Sequence, residues 1–277
     1  MAKEIKCIYE EFTSINQLLN TLNSRPNNQV MSESEASRTG DRDFCETSSY
    51  EEAVDLFVHG YTDIVGQVRA EVRKNNKAIY SNPIERRTIM NMPVGFIPNV
   101  PNALQNKPDS MINIVSTPQK RKTLSVIYAM GGSCGEEAES FIKAGAALVS
   151  ALNLIELSGV QTRLYVDFMP SSGRKEMLSP VLRVKNYGER FNLTKICFPL
   201  VHPSMFRRIG FKYLETCPFV TDDSFRLGYG RLPEIEDLRR NIPTDKQTFI
   251  LNTKIIKNNA YSVKAILEEL KFFSEKK

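Results

Sequence analysis

Between Ser14 and Leu22 the apolar residues fall at Ile15, Leu18, Leu19 and Leu22, the three- and four-residue spacing of one helical face. From Asn23 to Arg42 the chain is polar and broken by Pro26, which predicts a flexible loop near 23–43. Order resumes at Thr47-Ser-Ser-Tyr-Glu-Glu-Ala, where Ser48 with Glu51, or Ser49 with Glu52, has capping-box spacing. Ala53, Leu56 and Phe57 carry the apolar face onward and Gly60 supplies a stop. A further helix is predicted over Thr62 to Lys77, with Ile64, Val65, Val68 and Val72 turned inward. Residues 1–80 thus read as a helical N-terminal module.

Six prolines then punctuate the chain, at 83, 93, 98, 101, 108 and 118, a density that excludes a long helix. The apolar residues among them, Val94, Phe96, Ile97, Val100 and Leu104, predict that residues 81–119 form an extended strap packed across the main domain.

The main domain is predicted over 120–277. Thr123-Leu-Ser-Val-Ile-Tyr is a β-rich run suited to a buried strand. Glu136 to Ser158 has the periodicity of a long helix, with Gly145, Ala146, Ala147 and Ala151 allowing close approach to a sheet, and Gly159 ends it. Val160 to Phe168 follows as a second strand. Strand, helix and strand joined by tight turns form a right-handed βαβ unit and hence a parallel sheet. Val181–Val184, Lys195–Leu200 and Gln247–Leu251 are further strand candidates. Pro233 marks a helix start, and a last helix is predicted from Ser262 to about Phe273.

Composition narrows the class. The 277 residues are 41% hydrophobic and 25% charged, as in ordinary soluble domains. No uninterrupted apolar run approaches the ~20 residues that span a bilayer, and the N-terminus has no apolar signal region, so the expectation is a cytoplasmic protein with no membrane partner. Five cysteines without a C-x-x-C pair exclude a disulfide framework and a structural zinc site as readings. Charge is unevenly spread. Residues 1–60 carry eleven acids against five bases, and residues 61–123 carry ten bases against four acids. A basic stretch of that kind suits nucleic acid or an acidic protein, or is simply a solvated surface.

Three places hold residues capable of chemistry. The turn Gly131-Gly132-Ser133 follows a parallel strand, where open α/β sheets place ligands and where backbone amides can hold an anion. It is neither a Walker loop nor a full dinucleotide fingerprint, and the alternative is glycine serving a tight strand-to-helix turn. His202 lies near Cys197, Ser204 and Cys217, so a Cys–His or Ser–His nucleophile pair stands against a structural histidine. Arg207 and Arg208 suit bidentate recognition of phosphate or carboxylate, or ion pairing with Glu215 or Asp167.

The run from Thr123 to Phe168, strand, serine-bearing turn, long small-residue helix and strand, resembles the opening of a von Willebrand factor A domain. That family binds a divalent metal through Asp-x-Ser-x-Ser. The matching positions here are Ala129, Gly131 and Ser133, so only the last serine remains, and a hard cation lacks its carboxylate. The resemblance implies a Rossmann-type, mostly parallel sheet flanked by helices with a degenerate metal site, hence no metal and no cofactor. The chain is also similar to an uncharacterised bacteriophage and mobile-element family, through Thr47-Ser-Ser-Tyr-Glu-Glu-Ala with Gly60, Gly95-x-x-Pro-x-Val-Pro, and His202-Pro-Ser-Met-Phe-Arg-Arg-x-Gly-Phe.

These readings together predict a non-catalytic binding or assembly protein of a phage or mobile element in the bacterial cytoplasm. It recognises a protein partner through the carboxyl edge of its sheet, with Gly131, Gly132, Ser133, Asp167, His202, Arg207 and Arg208 as binding residues. Two alternatives remain at this stage. One is nucleic-acid binding through the basic 69–122 region with Arg207 and Arg208. The other is a hydrolase using His202 with Cys197 or Ser204.

Overall fold

The computed structural model describes residues 5–30, 35–40, 42–77, 87–116, 122–132, 135–173, 175–225 and 232–271. In chain order the elements begin with β1 (Lys6–Phe12), α1 (Ile15–Ser24), α2 (Arg42–Cys45), α3 (Tyr50–His59) and α4 (Thr62–Lys77). A three-stranded excursion follows: β2 (Arg87–Met92), β3 (Ile97–Pro98), α5 (Val100–Leu104) and β4 (Met111–Ser116). The remainder is β5 (Thr123–Ala129), α6 (Ala138–Leu157), β6 (Gln161–Asp167), β7 (Ser171–Ser172), β8 (Glu176–Lys185) and α7 (Leu193–Val201). A π-helical turn, Met205–Gly210, runs into α8 (Phe211–Thr216). The chain then continues through α9 (Ile235–Asn241), β9 (Thr248–Asn252), α10 (Thr253–Asn258) and α11 (Val263–Glu269).

The fold is α/β. Its main sheet has the order β1-β8-β6-β5-β9, with β7 added on β8. β5 lies parallel to both β6 and β9, β8 is antiparallel to β6, and β1 is parallel to β8. The sheet is therefore mixed but mostly parallel, with helices flanking it. The predicted βαβ unit is present as β5-α6-β6. Burial separates the two faces by strict alternation. Val126 and Tyr128 of β5 join the large core under α6, while Ile127 and Ala129 join a smaller one under α9.

Helix α6 is long and apolar enough to cross a membrane by length and composition, yet 72% of its apolar window is buried inside the molecule. It packs against α4, α7, α10 and α11. Gly145 permits the α7 contact, because a Cβ there would stand 2.4 Å from Val201 Cγ1. Caps match the predicted starts: Ser14, Ser49 and Ser262 accept from the backbone amides of Gln17, Glu52 and Ala265.

Three expectations change. Lys195–Leu200 is not a strand but lies in α7, capped by Asn192 and buried from Ile196 to Val201. A short all-apolar run carries no period that separates strand from buried helix. Strand β1, unpredicted, pairs with β8 about 170 residues on, so residues near the N-terminus are built into the main sheet. Its acids Glu10 and Glu11 obscured it; Glu10 takes Arg25 at 2.6 Å.

The third change concerns the proline-rich stretch. Its apolar residues do not pack on the main domain: Val94 is 77% and Leu104 80% exposed. Residues 87–116 instead form their own antiparallel sheet, order β2-β4-β3, with β4 in the middle. Gly95 is needed there, since a Cβ would meet the Ile112 carbonyl oxygen at 2.3 Å.

Candidate functional site

The carboxyl ends of β5 and β6 lie side by side, with Ala129 opposite Asp167, and the Met130 amide donates to the Asp167 carbonyl at 2.9 Å. Gly131 beyond them is buried and Gly132 half-buried. A Cβ on Gly132 would stand 2.9 Å from Phe141 Cζ, so packing against α6 demands glycine here whatever else the turn does. Ser133, the one residue retained from the metal-binding pattern, lies outside the described residues.

Asp167 is wholly buried. Ser179 donates to its Oδ2 at 2.7 Å, while Oδ1 has no hydrogen-bond partner. Burial raises its pKa to about 8, against the pull of Ser179 and the Met169 amide, so the group is mainly the neutral acid at pH 7. Cys7 and Tyr9 on β1 face the same side. Burial and then the charge of Asp167 push the Cys7 thiol up to about 12. Tyr9 also rises, from burial first, then Glu11, Tyr165 and Asp167. A neutral carboxyl is a poor ligand for a hard cation. Among the described residues no group of three metal-type side chains gathers anywhere.

His202 caps α7 at its C-terminus and is 2% exposed. Its ring stacks on Phe198 at 4.9 Å and meets the Tyr61 ring edge-on at 4.8 Å. Nδ1 accepts from the backbone amide of Ser204 at 3.1 Å. The Ser204 hydroxyl turns elsewhere: it donates to the Cys45 carbonyl and lies 2.8 Å from Thr47 Oγ1. Burial lowers the histidine pKa to about 4, offset only in part by Glu52, and raises that of Cys197 to about 12. A base needs a hydrogen bond to its nucleophile and a nucleophilic cysteine needs a thiolate. The structure brings His202 and Ser204 together through backbone, not as a hydroxyl–imidazole pair.

The two arginines sit on the π-helical turn and are buried. All five N–H groups of Arg208 are spent on one segment of chain. Nε donates to Thr47 Oγ1 (3.3 Å), Nη1 to the carbonyls of Ser37 and Arg38 (3.1 and 3.0 Å), and Nη2 to those of Gly40 and Thr47 (both 2.9 Å). Arg207 donates to the Phe44 carbonyl and, at 3.4 Å, to that of Glu136, and lies 4.3 Å from the Phe44 ring centre. Glu215 holds the same segment from beneath, accepting from the Ser37 amide and hydroxyl at 2.8 and 2.6 Å. His202, Ser204, Arg207 and Arg208 therefore form one cluster, but its occupant is the chain's own 37–47 segment. Of the basic 69–122 region, Arg86, Lys120 and Arg121 lie outside the described residues.

At the other end of the sheet a shallow groove of about 420 Å³ opens beside Ser14, Leu182, Arg183 and Lys195. Of the twelve exposed large hydrophobic residues among the described ones, eight lie on the β2-β4-β3 arm. Ile89, Met90, Met92, Val94, Phe96, Ile97, Val100 and Leu104 are all exposed, and none of the described side chains from 89 to 113 is buried. Asn99 orders the arm by capping α5 and donating to Asn91 Oδ1 at 3.0 Å. The signal for this surface was in the sequence: sixteen residues from Ile89 to Leu104 without one charge.

Residues 3–272 match the profile of a domain of unknown function, DUF7192, and the chain belongs to that family. No curated protein and no solved structure matches it.

Proposed function

We propose that this DUF7192 protein is a non-catalytic binding or assembly protein, and that its contact surface is the apolar arm of residues 87–116. One observation carries the reading: a separate small sheet whose large apolar side chains are open to solvent. Contiguous exposed apolar patches on soluble domains mark interaction sites. Among the described residues first expected to bind there, Gly132 packs on Phe141, Asp167 accepts from Ser179 and Arg208 donates to Thr47, which favours a contact away from that edge. A protein fits the arm better than nucleic acid does, because a phosphate backbone needs cations and Ile89–Leu104 has none.

The likeness to a von Willebrand A domain belongs to the same reading. In order of appearance, β5, β6, β8 and β9 line up as third, second, first and fourth strands from β8 inward, the start of a doubly wound order with its third strand reversed. Such scaffolds carry partners, and a neutral Asp167 suits one working without metal. The similarity to phage and mobile-element proteins supports a role in a bacterial host's cytoplasm.

The test is affinity capture from host cells with the wild-type chain and with an Ile89→Asp/Phe96→Asp variant of equal thermal midpoint. Proteins retained by the wild type and lost by the variant are expected. Equal retention by both, or retention of nucleic acid alone in a strongly salt-dependent manner, overturns the reading.

A further inference from the structure

Three of the chain's nine methionines lie on the arm, and strand register gathers all three on one face. Met92 stands directly opposite Met111 across the β2-β4 pair. Met90 lies two residues from Met92 on β2, so its side chain points to the same side. Asn113 fills the fourth corner, opposite Met90, and Pro98 of β3 flanks Met111 on its other side. Met90 is 47% and Met92 36% exposed, and Met111 is half-buried. The other described methionines, Met130, Met169, Met177 and Met205, are all buried in the main domain.

An apolar surface alone is served by branched residues, as at Ile89, Ile97 and Leu104 of the same arm. Methionine adds a polarizable thioether carried on three rotatable bonds. Directly opposite residues place their Cβ atoms about 5 Å apart and diagonal ones about 7 Å apart. Residues two apart on a strand are also separated by about 7 Å. A point above the middle of that triangle lies about 4–5 Å from each Cβ, a span that one methylene, the sulfur and a metal–sulfur bond of about 2.3 Å cover. Three sulfurs can therefore meet on one ion with the strands left in place.

Ligand chemistry selects the ion. Thioether sulfur is neutral and soft, which suits Cu(I) and its analogue Ag(I), whereas Mg²⁺, Ca²⁺ and Mn²⁺ take carboxylate and carbonyl oxygen. From Ile89 to Leu104 there is no acid to hold a hard cation. Elsewhere among the described residues, carboxylates, imidazoles and thiols form no cluster of three, and Cys45, Cys197 and Cys217 are buried. We propose that Met90, Met92 and Met111 form a site for one soft monovalent cation, Cu(I) in the cell. The site goes beyond the arm's role as a contact surface and does not depend on it.

The test is NMR of the full chain labelled with ¹³C at its nine methionine methyls, titrated with silver nitrate in buffer free of chloride and thiols. One equivalent of Ag(I) should shift three methyl resonances, the three that are missing from Met90→Leu/Met92→Leu/Met111→Leu. Leucine keeps size and apolarity, so the thermal midpoint of that variant should match the wild type. Each single leucine variant should bind Ag(I) at least tenfold more weakly. Thioethers take up no proton near neutrality, so wild-type affinity should stay within twofold from pH 5.5 to 7.5, where a site of imidazole or thiolate weakens with acid. Cu(I) under anaerobic conditions should shift the same three methyls. Silver that leaves the arm methyls unmoved, or that binds the triple leucine variant as tightly as the wild type, overturns the site. Protein capture through the arm is expected of the triple leucine variant too, since its face stays apolar, so failure of the metal site and failure of the contact surface are read separately.

Discussion

Asp167 and His202 should give this protein an unusual dependence of stability on pH, because the two buried groups act with opposite sign. Asp167 has its pKa raised by burial from 3.8 to about 8. The folded state therefore keeps a proton that the unfolded state has released. The stability this provides is complete below pH 4 and is lost as pH rises through 8, at ~1.4 kcal/mol per pH unit. His202 has its pKa lowered by burial from 6.5 to about 4. Here the unfolded state takes the proton first, so stability is complete above 6.5 and is lost as pH falls towards 4, at the same slope.

Between about pH 4.5 and 6 the two slopes cancel. The wild type should be level there and then lose about 1.3 kcal/mol between pH 6.5 and 8, less than the full slope because Asp167 is half titrated at 8 and the last of the His202 contribution returns above 6.5. Substitution separates the terms. Asp167→Asn keeps an acceptor for Ser179 and removes the titration, so its curve should rise from pH 4.5 to 6.5 and then stay level. His202→Asn keeps an acceptor for the Ser204 amide, and its curve should fall throughout. Urea midpoints at half-unit steps, with slopes checked for constancy, give the free energies directly. Cys7 and Tyr9, which face Asp167, titrate above this window, and Glu52, the acid acting on His202, is common to all three proteins. If the gap between wild type and Asp167→Asn stays constant from pH 5 to 7.5, where about 3 kcal/mol of change is expected, burial is not setting the state of Asp167.

Three further outcomes follow from packing. Arg208→Ala strips donors from the buried carbonyls of the 37–47 segment and should cost at least about 3 kcal/mol, with amide exchange across 35–47 accelerated more than elsewhere. Arg208→Lys should recover only part of this, three donors replacing a planar five. Gly145→Ala should cost about 1–3 kcal/mol by thermal or urea unfolding, and Val201→Ala in the same chain should restore most of it, because the clash is with Val201 Cγ1. Glu156→Gln leaves the buried Lys185 ammonium, now 2.5 Å from Glu156 Oε1, without its counterion and should cost about 3 kcal/mol, whereas Glu156→Gln with Lys185→Met should recover most of that loss.

What the sequence makes legible is what local chemistry determines. Ser49 with Glu52 marks the start of α3 because a hydroxyl and an amide three residues apart satisfy one another without outside help. The βαβ unit is legible for a similar reason: period and glycine placement set it, and handedness follows. Strand β1 is not legible, because Lys6–Phe12 becomes a strand only through β8, far along the chain, and carries two acids on the way. The arm is half legible. Its prolines exclude a helix, yet apolar residues imply burial only within one chain's own core, and nothing in Val94 or Phe96 tells which surface will cover them.

The candidate site shows the same division at the level of chemistry. Residue types identify Arg207, Arg208 and His202 as groups that need partners, because a buried guanidinium or imidazole without them is costly. They do not identify the partner. A bidentate arginine satisfied by four backbone carbonyls and one satisfied by a phosphate have the same sequence signature, and the choice is made by a segment more than 160 residues away. Here Ser37, Gly40 and Thr47 arrive first. The carbonyls of Ser37, Arg38, Gly40 and Thr47 lie outside α2, so a mutual dependence results: they need the donors of a buried arginine, and the buried guanidinium needs those acceptors. A site filled in that way holds the N-terminal region onto the α/β sheet and leaves recognition to the surface that the chain does not fill itself.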